Sequence, residues 1–66
     1  MNVIINGEPR DLAPRSTVAD VVRSLTAAHD GIAVAVNDEV VPKATWSATF
    51  VAENDRVDVL TAVQGG

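Results

Sequence analysis

A single helical stripe constrains the fold of this chain more than any other feature of its sequence. Four apolar residues recur at i, i+3, i+4 and i+7 and so line one face of a helix: Val18, Val21, Val22 and Leu25. The segment Thr17–Asp20 is a variant of the capping box, with Asp in place of the usual Glu or Gln. We therefore expect a helix that begins after Thr17 and runs to about Ala28. His29-Asp30-Gly31 would stop it, with Gly31 free to adopt a left-handed conformation.

Most of the remaining apolar residues alternate with the period of two that is typical of strands. Val3 and Ile5 share one face of an opening strand, and Asn6-Gly7 is the strongest short hairpin signal, because a type I′ turn needs positive φ at both residues. A second strand, Glu8–Leu12, contains Pro9 and is therefore expected at a sheet edge. The other predicted strands are Ile32–Val36, Val40–Val41 and Arg56–Val63, with a short helical turn around Trp46.

One helix and five strands are most economically arranged as a small mixed sheet with the main helix packed on one face. The first and last strands are expected side by side at the centre, which makes that pair parallel. This is an α+β architecture, the β-grasp or ubiquitin-like fold. Residues 1–66 are expected to form one such domain, because a chain of 66 residues has no room for a second core.

Charge and composition exclude several classes of function. The formal net charge of −4, with only five Lys and Arg residues, opposes binding to nucleic acid. The absence of cysteine removes disulfides and thiolate metal sites, and a lone His29 is not a metal site. No segment resembles a signal peptide or reaches the ~20 apolar residues of a membrane helix. We expect a cytoplasmic protein that contacts neither membrane nor nucleic acid and binds no metal or cofactor of its own.

The last strand predicts a docking surface. If Val57, Val59 and Thr61 face the helix, then Leu60 and Ala62 face away from it. Three residues of the first and third strands share this outward parity: Ile4, Ala33 and Ala35. A flat apolar sheet face of this kind is expected to dock a partner protein.

The chain ends in Gly65-Gly66, directly after an apolar strand, and residues 63–66 are expected to form a flexible tail that includes Gln64. Two glycines add ~7 Å of extended reach and can enter a slot that admits no side chain. They deliver the α-carboxylate of Gly66, which is ionised at pH 7 and is a poor electrophile. An acyl-adenylate formed from ATP would activate it, and a sulfur nucleophile that displaces AMP would leave a thiocarboxylate. The chain has no nucleotide-binding loop, so a partner enzyme must supply ATP chemistry.

Taken in order over its whole length, the chain resembles the ThiS family, the sulfur carriers of thiamine (thiazole) biosynthesis. The features that carry the resemblance are Asn6-Gly7, Thr17-Val18, Ala35-Val36-Asn37, Val41-Pro42 with Trp46, Asp55 and Val63-Gln64-Gly65-Gly66. The resemblance implies a non-enzymatic carrier whose Gly66 is adenylated with ATP and Mg²⁺ by a ThiF-like enzyme. The adenylate would become a thiocarboxylate whose sulfur comes from a sulfur-donor system. The thiocarboxylate would then pass this sulfur to a ThiG-like thiazole synthase. Asn54 departs from the family, whose members commonly have glycine there.

Three alternatives stay open at this point. The related MoaD carrier of molybdopterin synthase shares the fold and the Gly-Gly end, although Val41, Pro42 and Trp46 favour ThiS. A β-grasp module that binds partners without covalent chemistry would need only the sheet face. A protein modifier would be conjugated to lysines through Gly66.

Overall fold

The computed structural model describes residues 1–26 and 31–61 of the chain. Its elements follow the predicted order, with one short 3-10 helix at Lys43–Ala48 around Trp46. The remaining elements are β1 (Asn2–Ile5), β2 (Glu8–Asp11), α1 (Val18–Leu25), β3 (Ile32–Val36), β4 (Glu39–Val41) and β5 (Arg56–Thr61).

The five strands form one mixed sheet in the order β2-β1-β5-β3-β4. The first and last strands are neighbours and run parallel, with Ile4 opposite Arg56, and β5 occupies the centre of the sheet. β2 lies at an edge, which accommodates Pro9. The predicted β-grasp fold, with its parallel central pair, is confirmed.

Left-handed turn residues connect the strands as the sequence indicates. Asn6 and Gly7 have φ of 50° and 83°, the two positive values that a type I′ hairpin between β1 and β2 requires. Asn37 and Asp38, with φ of 50° and 71°, join β3 to β4 in the same way. Asn54 also has positive φ, at 69°, a conformation that Asn adopts more readily than most other non-glycine residues.

The helix ends earlier than the sequence predicts. α1 stops at Leu25 rather than at about Ala28, because Thr26 already has an extended backbone with φ of −157°. Its N–H still donates to Val22 O at 3.0 Å and so closes the last turn. The predicted stop at His29-Asp30 lies outside the described residues, whereas Gly31 has the expected left-handed φ of 72°. Val63, the predicted end of β5, also lies outside them.

The core lies between the sheet and α1 and is almost entirely aliphatic. Trp46 is the one aromatic residue in it and is 7% exposed, and its Nε1–H donates to Val41 O at 2.9 Å. This hydrogen bond offsets the cost of removing the indole N–H from water. The other buried apolar residues are Val3, Ile5, Val18, Val21, Val22, Val34, Val51, Val57 and Val59.

The predicted capping box fixes the start of α1. Thr17 Oγ1 accepts from the backbone N–H of Asp20 at 3.2 Å, and Asp20 Oδ2 accepts from that of Thr17 at 2.9 Å. Asp20 also forms an ion pair with Arg23, one turn along the helix. The hydrogen bond from the Thr17 N–H, more than the charge of Arg23, lowers the pKa of the Asp20 carboxyl below its ordinary value.

We expect Asp20→Asn to reduce the dependence of the free energy of unfolding on pH at acidic pH. A carboxyl whose pKa is lowered by folding stabilises the native state above its unfolded pKa of about 3.9 and loses this contribution as pH falls through the folded value. The variant should therefore be less stable than the original chain near neutral pH, and the difference should shrink below pH about 4. Urea unfolding across this range measures it, and parallel curves for the two proteins would contradict the assignment.

Candidate functional site

The face of the sheet that points away from α1 collects the residues predicted to dock a partner. Residues directly opposite one another in neighbouring strands share a face. Ala33 lies opposite Leu60, Ala35 lies opposite both Asp58 and Val40, and Ile4 lies opposite Arg56. We call this surface the outer face: Ile4, Ala33, Ala35, Val40, Arg56, Asp58 and Leu60.

Two large apolar side chains on the outer face are exposed to solvent. Leu60 is 66% exposed and Val40 is 73% exposed, whereas Ile4 and Ala35 are half-buried and Ala33 is exposed. Because the two alanines lie on β3, between β5 and β4, they form a low floor with Leu60 on one side and Val40 on the other. We call this arrangement of small side chains between two larger exposed apolar ones the apolar trough.

Sequence reasoning missed Val40. It placed Val40 in a short strand but did not assign its face. The signal lies in the turn: a two-residue turn at Asn37-Asp38 sets Val36 opposite Glu39 and therefore Ala35 opposite Val40. Val40 shares the outward parity of Ala35 for that reason.

Along β5 itself, two charged residues of the outer face, Arg56 and Asp58, precede the apolar Leu60. Arg56 forms an ion pair with Asp38 at 2.6 Å, and the hydrogen bond from that pairing raises the pKa of the guanidinium. Asp58 lies next along this face, followed by Leu60. Of the outer-face residues on β5, the apolar Leu60 is thus the nearest in sequence to Gly66.

Three polar side chains fasten β5 to the turns around it. Asn37 Nδ2–H donates to Asp55 Oδ1 at 3.0 Å, and Asn37 Oδ1 accepts from Arg56 N–H at 3.0 Å. Asp55 Oδ2 also accepts from Ala52 N–H at 2.7 Å. At the other end, Asn6 Oδ1 accepts from Val59 N–H at 2.8 Å. The sequence marked these positions as turns, but their action as clamps on the last strand depends on contacts between segments distant in sequence.

The remaining predicted site residues lie outside the described part of the chain: Ala62, Gln64, Gly65 and Gly66. The last described residue is Thr61, on the central strand, and Gly66 lies five residues further along the chain. Five residues span at most about 18 Å when fully extended. Any group that reacts with the Gly66 carboxylate must therefore come within that distance of the end of β5.

Within residues 1–26 and 31–61, no three His, Asp or Glu side chains are grouped as a metal ion would require. No helix in the same ranges is long and apolar enough to cross a membrane.

Comparison with known proteins gives consistent matches over the whole chain. The sulfur carrier protein ThiS of Escherichia coli is 26% identical over 66 residues, which is 100% of both chains. A crystal structure of the thiamine biosynthesis protein ThiS from Geobacter metallireducens superposes with a TM-score of 0.83 at 30% identity and covers 100% of both chains. A thiazole synthase from Paramagnetospirillum magneticum is 30% identical over 66 residues. That match covers 100% of this chain but only 20% of the synthase, so the chain spans about a fifth of that relative's length.

A family model assigns the chain directly. The model described as "ThiS family" matches residues 3–66, from β1 through the terminal glycines. The family model thus spans the parallel central pair of strands, the helix and the terminal Gly65-Gly66. The chain belongs to the ThiS family.

Proposed function

We propose that this chain is a sulfur carrier of thiamine biosynthesis whose reactive group is the α-carboxylate of Gly66. A carboxylate oxygen attacks the α-phosphorus of ATP in a ThiF-like enzyme, which expels pyrophosphate and leaves an acyl-adenylate. A sulfide-equivalent nucleophile then attacks the carbonyl carbon, AMP departs with the oxygen, and a thiocarboxylate remains. The chain supplies the acyl group and the surfaces that present it, while the partner supplies ATP and Mg²⁺.

The observation that carries this proposal is the family match that includes Gly65 and Gly66. The whole-length match to the ThiS protein of Escherichia coli supports it, since that relative is a named sulfur carrier of the same length. The structure adds a physical reason: β5, the strand that leads to the glycines, is held at the centre of the sheet. A carrier needs such a rigid body because its partners recognise it before they act on its end.

The acceptor of the sulfur is proposed to be a ThiG-like thiazole synthase. Two relatives that match this chain over its full length carry the name thiazole synthase, from Paramagnetospirillum magneticum and Magnetococcus marinus. A segment like this chain therefore occurs within proteins of that name. This favours thiazole formation over a MoaD-like role in molybdopterin synthesis.

The outer face is proposed as the surface on which these enzymes dock. Its apolar trough, floored by Ala33 and Ala35, would take one large apolar side chain, and Asp58 would orient a basic residue beside it. The same exposed face also favours a second candidate, a module that binds partners without covalent chemistry. The two candidates differ in whether Gly66 reacts.

Intact-mass measurement tests the proposal. Incubation with the cognate activating enzyme, Mg-ATP and a sulfide source should raise the mass of the chain by about 16 Da, since one sulfur replaces one oxygen. The control omits ATP, because without adenylation the carboxylate keeps both oxygens. A constant mass in the presence of an active cognate enzyme would refute the carrier, and a larger species linked to lysine would indicate a protein modifier.

A further inference from the structure

The central strand β5 is paired with both neighbouring strands only near its start. On one side, its ladder with β3 runs from Val57 opposite Val36 to Thr61 opposite Ile32. On the other side, its ladder with β1 couples only Arg56 and Val57 of β5, because β1 ends at Ile5 and the chain turns back into β2. Among the described residues, the last part of β5 therefore has no neighbouring strand on its β1 side. We call this open position beside Val59–Thr61 the lane.

The backbone groups of β5 that face this lane follow from the alternation along the strand. Arg56 O accepts from Asn37 N–H on the β3 side, so even-numbered residues of β5 direct their backbone groups toward β3. Val57 O accepts from Asn6 N–H, and Val59 N–H donates to Asn6 Oδ1, so odd-numbered residues direct theirs toward β1. Beyond Asn6, the next groups in the lane are Val59 C=O, Thr61 N–H and Thr61 C=O.

The other two edges of the sheet carry features that discourage strand addition, and this stretch carries none. Every residue of β2 except Pro9 is charged, and all four are exposed. The other edge strand, β4, starts at Glu39 and is followed by Pro42. Charge and proline are the usual means by which proteins protect an edge. Val59, Leu60 and Thr61 are neither charged nor proline, so the unprotected edge is the one that leads to Gly66.

We propose that the activating enzyme adds an extended main-chain segment to this edge, as a strand in the lane beyond Asn6. The proposal rests on the carrier function and gives it a mode of recognition. The enzyme's reactive centre lies within about 18 Å of Thr61 whenever Gly66 reacts, so the enzyme surface approaches the end of β5. Strand addition also holds the chain extended and directs it to the reactive centre without reading side chains, which two terminal glycines lack.

Amide hydrogen exchange at single residues tests this. In the free chain the Thr61 amide should exchange quickly, while the Leu60 amide, which faces β3, should be protected. In the complex with the activating enzyme, exchange at Thr61 should slow by about tenfold or more, as expected when an exposed amide gains a hydrogen bond. Leu60 is the internal control, because its bond exists in both states.

A backbone variant separates the Thr61 amide from its side chain. Chemical synthesis of the chain with an ester in place of the Leu60–Thr61 amide removes the Thr61 N–H and keeps the hydroxyl and the methyl group of the side chain. This variant should bind the enzyme up to about tenfold more weakly, since a lost hydrogen bond contributes about 0.5–1.5 kcal/mol. Thr61→Ala, which keeps the N–H, should bind within about twofold of the original chain.

The outcomes are distinguishable from failure of the carrier function itself. If the chain gains about 16 Da while the Thr61 amide exchanges as fast in the complex as in the free chain, strand addition is wrong and the carrier stands. Slow exchange at Thr61 in the free chain, with dimers in solution, would also overturn the proposal, because a second copy would then occupy the edge. If the mass does not rise at all, the carrier function is wrong, and the strand-addition proposal that rests on it is wrong as well.

Discussion

Removal of Gly65 and Gly66 should abolish the gain of sulfur completely and leave the thermal unfolding midpoint unchanged. Every described core residue lies between Val3 and Val59, so the truncation removes no part of the core. It does remove the proposed reactive carboxylate, and the new terminal carboxylate stands two residues, or about 7 Å, short of its target. Intact mass after incubation with enzyme, Mg-ATP and sulfide measures the first effect, and a thermal melt measures the second.

Substitutions at Gly65 refine this result. Gly65→Val should block activation because a β-branched side chain does not fit a channel shaped for glycine, whereas Gly65→Ala should retain part of it. Both variants should have the same thermal unfolding midpoint as the original chain. Normal adenylation of Gly65→Val would rule out a narrow channel, and continued thiazole formation by the truncated chain would favour the non-covalent module over the carrier.

The sequence predicted the fold well because its local signals agree with one another. The helical stripe, the capping box at Thr17, the glycine of the first hairpin and the proline in β2 each restrict the backbone locally. Only one simple arrangement satisfies all of them. The parallel pair of β1 and β5 followed from topology, since a short chain with one helix has few ways to close its sheet.

The sequence did not predict the end of the helix, the face of Val40 or the polar side chains that hold β5. The helix stops at Leu25 because Thr26 is extended, and a β-branched residue at that position is compatible with either conformation. Val40 lies on the outer face because the turn at Asn37-Asp38 sets it opposite Ala35. The clamps from Asn6, Asn37 and Asp55 join segments up to 53 residues apart, so no local pattern reveals them.

Adjacent residues on β5 should respond to the same substitution in opposite ways. Val59 is 8% exposed and faces α1, whereas Leu60 is 66% exposed on the outer face. Val59→Asp places a carboxylate in the aliphatic core, where an unpaired charge costs several kcal/mol. A domain of this length has a stability of about 3–10 kcal/mol at 0.05–0.15 kcal/mol per residue, so we expect this variant to be largely unfolded. Loss of the blue-shifted fluorescence of Trp46 would report it.

Leu60→Asp should remain folded and dock poorly. The carboxylate stays in water, so the unfolding midpoint should change little, but the trough between Leu60 and Val40 loses one apolar wall. It also gains a charge beside Asp58, and the combined loss should weaken association with the activating enzyme by about ten- to a hundredfold, the range of a central apolar contact. Leu60→Ala, which removes the wall without adding charge, should give a smaller loss of the same sign. If Leu60→Asp binds the enzyme and gains sulfur at the original rate, the outer face is not the docking surface, and recognition must depend on the β5 edge and the terminal glycines alone.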